Sequence, residues 1–370
     1  MVIKMKITAA VTREKGKINF ETVELAEPKA NEVLVRMVAC GICHTDVAVI
    51  EQFLPVQFPY LAGHEGAGIV EKVGSGVSEF VPGDRVTMTF PSCGKCNNCK
   101  DGKPWACEIN FEVLFGGNYR DGTKRIKDDA GAEIGIMFGQ GSFATYAIAD
   151  QSNTIKMDVG SDDELAKLCS LGCGIQTGAG AVLNRMKPRP GSSIAVFGCG
   201  NVGLAAVMAA KIAGCSTIIA VHGRRGRDEA LEFGATHAIN GRNEDIAARI
   251  LEITGGKGVN YALESAGVPD MVSKMLDSMA RDGTCVLVSV TGPAQIPVEL
   301  ERQIMNPSVT ITGAVEGCSN PKVFIPELVQ FYKEGRLPID KLLTFYDFKD
   351  LEKALKEFHD GATIKPILRF

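Results

Sequence analysis

Residues 192–214, "SSIAVFGCGNVGLAAVMAAKIAG", decide the architecture. "SSIAVF" is an apolar run short enough to be a buried strand, and "NVGLAAVMAAKIAG" has the length and composition of a helix stopped by Gly214. Between them Gly198, Gly200 and Gly203 fall at G-x-G-x-x-G, a spacing that permits a tight turn and close backbone approach. The same rhythm continues downstream through "TIIAVHG", "RDEALEFG", "HAIN", "NEDIAARILEIT", "VNYALESAG", "DMVSKMLDSMARDG", "TCVLVSV" and "VTITGAVEG". Strands alternating with helices predict an α/β unit, a doubly wound parallel sheet covered on both faces.

Set between a strand and a helix, the three glycines form a dinucleotide-binding fingerprint, with the helix N-terminus facing the pyrophosphate. Such a fingerprint calls for a carboxylate about 20 residues on, accepting the adenosine ribose hydroxyls. The position falls at His222, followed by Gly223, Arg224, Arg225 and Arg227. A carboxylate would repel a 2'-phosphate, whereas guanidinium groups bind one through paired, charge-assisted hydrogen bonds. At ~4 Å each charge pair contributes roughly 1 to 4 kcal/mol, enough to favour NADP(H) over NAD(H).

Upstream, residues 1 to about 150 read as short strands bounded by turn residues: "ITAAVT", "INFETVEL", "EVLVRMVACGIC", "GAGIVEKV", "DRVTMTF" and "SFATYAIA". After Gly317 come two helical segments, "PKVFIPELVQFYKEG" and "DLEKALKEF", and a closing strand, "IKPILRF". A chain of 370 residues exceeds one ordinary core, so two domains are expected. The net charge of -4 gives no reason to seek nucleic acid, and neither a signal peptide nor a membrane span is legible. The reading is cytoplasmic, where the 12 cysteines serve as thiols or metal ligands rather than disulfides.

"CGKCNNCKDGKPWAC" sets Cys93, Cys96, Cys99 and Cys107 at C-x2-C-x2-C-x7-C. Four thiolates at such spacing close a tetrahedral shell around Zn2+ or hold an iron-sulfur cluster, and the pattern leaves both open. "GICHTD", "GHEG" and "LGCGIQTGAGA" supply Cys43, His64 and Cys173. Two thiolates and one imidazole would make a zinc set with a vacant fourth position. The long spacing leaves that grouping open too.

"GICHTD" with "GHEGAGIVEKVG", the cysteine lobe, "LGCGIQTGAGAV" and "VFGCGNVG", in this order, resemble the zinc-dependent medium-chain alcohol dehydrogenases. The resemblance spans nearly the whole chain and is nearest to the aryl (benzyl) alcohol dehydrogenase branch. It implies a GroES-like β-rich catalytic domain over 1–174 and 315–370 and a Rossmann domain over 175–314, with substrate between them. It implies two zinc ions per chain: a catalytic one on Cys43, His64 and Cys173 with Glu65 beside it, and a structural one on Cys93, Cys96, Cys99 and Cys107. Asp46 would orient His64, and Thr45 would begin the proton relay. Ala48 stands where well-known members place the relay's histidine, so the proton leaves by the cofactor ribose, water or His44. Val202 and Thr177 match positions lining the nicotinamide, and Lys365 matches a basic position near the pyrophosphate.

The implied reaction moves a hydride between a primary aryl or allylic alcohol and NADP(H), through a zinc-bound alkoxide. Thr89, Phe90, Ile109 and Phe115 are candidate substrate contacts. The expected partners are a small alcohol or aldehyde and further copies of the chain, as homodimer or homotetramer, with no nucleic acid and no membrane. Competing readings are a glutathione-dependent formaldehyde dehydrogenase, an NAD-dependent enzyme of the same family, and a zinc-stabilised NADP(H)-binding regulator.

Overall fold

The computed structural model describes residues 5–223 and 226–370. Arg224 and Arg225, singled out above as phosphate contacts, lie outside the described residues. Contacts divide the chain into two compact units: Met1–Cys173 with Asn320–Gln330 and Ile339–Phe370, and Gly174–Ser319 with Phe331–Pro338. Residues 174, 315–319 and 331–338 thus fall with the second unit, whereas the sequence expectation had them in the first. For 315–319 side-chain chemistry gives the reason. Gln176 Nε2 donates to Glu316 Oε2 at 3.2 Å, and Ser319 Oγ donates to Gln176 Oε1 at 2.9 Å.

In the first unit, Met5–Glu14, Lys17–Leu25, Ile126–Lys127, Glu133–Ile136 and Tyr60–Leu61 close a small barrel. A second sheet runs in the order Thr154–Lys156, Arg85–Met88, Glu65–Val73, Glu32–Gly41, Lys365–Arg369, Leu343–Asp347, and Tyr146–Asp150 also pairs with Glu32–Gly41. Along Glu32–Gly41 the period of two is visible: Val33, Val35, Met37 and Ala39 are buried, and Arg36 is exposed. Register then does the positioning. Gly41 lies opposite Glu65 on one side and Ile367 on the other, so the segment leading to Cys43 meets His64–Glu65 and the strand carrying Lys365. A Cβ on Gly41 would sit 2.1 Å from Glu65 Oε2, so a larger residue there would displace the Glu65 carboxylate.

The second unit holds a parallel sheet in the order His237–Asn240, Thr217–His222, Ser193–Phe197, Val259–Glu264, Met279–Leu287, Thr310–Gly313. The strand order reverses on either side of Ser193–Phe197, the switch point at which such sheets bind nucleotides. The strand Met279–Leu287 begins inside "DMVSKMLDSMARDG", where the sequence read helix throughout. The helix Pro269–Asp277 stops there because Met279 pairs with Val259 of the neighbouring strand. Among the described residues no helix is long and apolar enough to cross a membrane.

Candidate metal and cofactor sites

Cys43 precedes the helix His44–Ile50, whose N-terminal dipole favours a thiolate. Asp46, fully buried in that helix, turns back. Its Oδ2 accepts the Cys43 N–H at 2.9 Å, its Oδ1 accepts the Gly63 N–H at 2.9 Å, and the same Oδ1 lies 2.9 Å from His64 Nδ1. The carboxylate therefore fixes the imidazole with Nδ1 as donor and frees Nε2 for a ligand. Nε2 is buried and has no hydrogen-bond partner among the described residues. The donor atoms of Cys43, His64, Glu65 and Cys173 all lie within 4.8 Å of one another. A buried imidazole nitrogen without a partner, facing two thiols, is a donor set that fits zinc. A hydrogen bond from Cys173 helps hold the Cys43 thiol well below its ordinary pKa.

Glu65 and Lys365 form a buried ion pair, with exposures of 0% and 1%, and Lys365 Nζ also donates to the Ile42 carbonyl at 2.9 Å. Burial raises the Glu65 carboxyl and Lys365 opposes it. For Lys365 burial acts downward, but Glu65 and Cys43 together hold the ammonium charged. The cation thus lies beside the candidate metal donors, at a position that the family resemblance matches to a basic residue near the pyrophosphate. Thr45 Oγ1 lies 3.6 Å from Cys43 Sγ, and the exposed His44 ring stands 4.3 Å from that of Phe358.

In the lobe, the sulfurs of Cys93, Cys96, Cys99 and Cys107 lie within 4.8 Å of one another, with Cys93 and Cys99 at 3.9 Å. A zinc tetrahedron with Zn–S bonds of ~2.3 Å has edges of ~3.8 Å. So tight a set fits a single ion better than the wider sulfur spacing of an iron-sulfur cluster. Cys93 Sγ accepts the Cys96 N–H at 3.4 Å, and Cys107 Sγ accepts the Cys93 N–H at 3.4 Å. Burial pushes the Cys93 thiol up, yet the N–H groups of Lys95 and Cys96 bring it down to about 6.

In the second unit, Gly198 takes φ +103, and a Cβ on Gly203 would strike Gly198 O at 1.8 Å, so the helix Asn201–Ile212 packs directly on the strand end. A Cβ on Gly200 would meet nothing within 4 Å, which leaves a phosphate free to approach. Gly178, whose Cβ would lie 2.0 Å from Val202 O, brings the segment bearing Thr177 onto Val202. His222 is buried at its strand end with Nδ1 3.1 Å from Gly223 O, and Gly223 is exposed. Arg227 pairs with Asp228 at 3.3 Å on the surface.

Of the candidate substrate contacts, Thr89 is buried with Oγ1 donating to Gly172 O at 2.7 Å, Phe90 sits in the core, and Ile109 is exposed. Phe115 joins a row of rings absent from the sequence reading. His64 lies 4.6 Å from Phe138, Phe138 lies 5.5 Å from Phe115, and Phe115 lies 5.3 Å from Phe111. Phe138 holds φ +51 between the strand Glu133–Ile136 and Gly139. An aromatic residue next to two glycine-containing turns was its only trace in the sequence.

The role of Asp46 predicts an outcome. The carboxamide of the Asp46→Asn variant keeps one acceptor oxygen but turns an NH2 toward a backbone donor, so metal affinity at the Cys43–His64–Cys173 site falls about 10- to 100-fold. Competition with a chromogenic chelator measures it, and wild-type affinity would refute the assignment.

Residues 29–159 match the alcohol dehydrogenase GroES-like domain family, and residues 201–334 match the zinc-binding dehydrogenase family. A geraniol dehydrogenase of Castellaniella defragrans is 40% identical over 98% of this chain and 97% of its own. In structure, an alcohol dehydrogenase zinc-binding domain protein from Burkholderia ambifaria is similar at TM-score 0.95, with 44% identity and full coverage of both chains. The benzyl alcohol dehydrogenase of Acinetobacter calcoaceticus is similar at TM-score 0.93, with 40% identity over 99% of each chain. Matched across both units, in sequence and in structure, by dehydrogenases of one kind, this chain belongs to the zinc-dependent medium-chain alcohol dehydrogenase family.

Proposed function

We propose that the enzyme interconverts primary aryl or allylic alcohols and their aldehydes, uses NADP(H), and holds two zinc ions per chain. Cys43, His64 and Cys173 would hold one ion, with Glu65 kept beside them by Lys365, and the four lobe cysteines would hold the other. Bound zinc supplies a Lewis acid that lowers the pKa of an alcohol hydroxyl, and the nicotinamide supplies the hydride acceptor. Asp46 keeps the imidazole in its ligating tautomer. Thr45 Oγ1, beside Cys43, would take the alcohol proton, and with alanine at position 48 the proton would leave by the cofactor ribose, water or His44.

Beside the proposed ligand His64 the rings of Phe138 and Phe115 pack in and against the core. Planar unsaturated alcohols are the proposed substrates. The likeness to enzymes named for geraniol and benzyl alcohol supports the same class. The cofactor reading rests on the strand end at His222, where no carboxylate stands to repel a 2'-phosphate, and on Arg224 and Arg225 after it.

The test is a steady-state screen of benzyl, cinnamyl, geranyl and short aliphatic alcohols with each cofactor, with formaldehyde assayed with and without glutathione. The expected result is a higher kcat/KM with NADP+ than with NAD+ and a preference for the unsaturated alcohols. Arg224→Ala then lowers kcat/KM with NADP+ about tenfold, equivalent to ~1.4 kcal/mol, and leaves NAD+ turnover unchanged. An equal or reversed cofactor ratio discards the NADP reading, and turnover of formaldehyde only with glutathione discards the substrate class.

A further inference from the structure

We infer that Gln140 and Thr89 form a buried bridge that sets the spacing between the metal ligands His64 and Cys173, making both of them positioning residues. The inference rests on the two-zinc reading above. His64 and Cys173 reach the site from distant parts of the chain, and nothing in the strand register joins them directly. Polar side chains do. Gln140 is fully buried. Its Nε2 donates to the carbonyl of His64 at 3.0 Å and to that of Thr89 at 3.2 Å. Its Oε1 accepts the Gly66 N–H at 3.2 Å and the Ser142 hydroxyl at 2.6 Å.

Two donors and two lone pairs are the full capacity of a carboxamide, and here all four are used. Carbonyls on one end and an N–H on the other fix the orientation of the amide. Thr89 completes the span. Its hydroxyl donates to Gly172 O at 2.7 Å, the carbonyl immediately before Cys173, while Asn153 Nδ2 steadies the Thr89 carbonyl at 3.2 Å.

The backbones along this path have no slack. A Cβ on Gly66 would lie 2.3 Å from Ser142 Oγ, and a Cβ on Gly172 would lie 2.3 Å from Met88 O. The path His64–Gln140–Thr89–Gly172 therefore ties the imidazole segment to the second thiol segment through short, directed bonds in a dry interior. Deleting an outer partner of a metal ligand typically costs 10- to 100-fold in metal affinity. The bridge acts on the ligands' backbones, so its loss should loosen this one site and spare the lobe, which shares none of these bonds.

The experiment follows zinc release from the purified holoenzyme to a chromogenic chelator, with the lobe metal as internal reference. The Cys173→Ser chain, lacking one kinetic phase, assigns the two phases. Thr89→Val, which replaces the hydroxyl with a methyl group of similar size, and Gln140→Leu should release the Cys43–His64–Cys173 metal about 10- to 100-fold faster, with lobe release unchanged. Thr89→Ser restores the hydroxyl and should restore the wild-type rate. If Gln140→Leu fails to fold, the Thr89 pair decides. Release unchanged in Thr89→Val, both phases accelerated together, or Thr89→Ser as fast as Thr89→Val would each overturn the bridge. A wild-type chain that retains only the lobe zinc overturns the two-zinc reading itself, and the bridge falls with it.

Discussion

On the proposed two-zinc reading, Cys173→Ser should give a folded protein that keeps its lobe zinc, loses the other ion, and has kcat/KM for benzyl alcohol at least ~1,000-fold below wild type. The serine matches the cysteine in shape but does not ionise near neutral pH, so the donor set drops to Cys43 and His64. Glu65 does not make up the loss, because its carboxylate is already paired with Lys365 in a buried ion pair. Without the metal, several kcal/mol of charge stabilisation disappear from the reaction, and at ~1.4 kcal/mol per decade about 4 kcal/mol gives the quoted factor. Metal content and steady-state rates measured on the same preparation check it. A variant that binds one zinc and turns over at the wild-type rate would remove Cys173 from the site.

The second large effect concerns stability. In the Cys107→Ser chain the lobe should open, with proteolysis appearing between residues 93 and 116 and Tm falling by about 10 °C or more. Apart from Leu114, Trp105 and the bonds of Arg120, the lobe has little else to hold it. Its helix Asn97–Lys100 contains no buried residue, and Phe111 and Ile109 are exposed. Apparent zinc affinities in comparable small sites are ~10 to 16 kcal/mol, and that energy is folding energy for the segment that binds. If only ~4 kcal/mol of it couples to the rest of the unit, a shift of ~2 to 4 °C per kcal/mol gives the stated fall. Arg120 sharpens the coupling, since its Nη2 donates to the Cys93 carbonyl at 2.7 Å and its Nη1 to Asp150 at 3.1 Å, joining lobe to sheet. Calorimetry and limited digestion decide. An intact lobe with unchanged Tm would mean that the cysteines are packing residues only.

What the sequence made legible follows physical range. The parallel sheet could be read because each strand and helix there is long enough to show its own period and the glycine turn has a single geometry. The lobe cysteines could be read because local spacing brings their sulfurs together. Strands such as Tyr60–Leu61, Ile126–Lys127 and Glu133–Ile136 were invisible, since two to four residues cannot show alternation and exist only through distant pairing. Lys365 could be placed only by resemblance, and its pairing with Glu65 depends on a strand register that no local pattern encodes. Gln140 and Phe138 escaped for a related reason. A glutamine and a phenylalanine among glycines look like loop residues until the fold buries one against His64's carbonyl and sets the other beside its ring.

The ion pair between Glu65 and Lys365 also dictates an order of assembly. Ile42 and Lys365, joined by a hydrogen bond, are separated by 323 residues, so the ribosome makes nearly all of the intervening chain before the ammonium exists. Most of Gly174–Ser319 has by then been made and can begin to fold. The first unit must wait with a gap between Glu32–Gly41 and Leu343–Asp347, and with a carboxylate whose burial nothing yet compensates. Insertion of Lys365–Arg369 closes both at once, so the acid is neutralised, and the thiols beside it are walled in, only after that strand has left the ribosome.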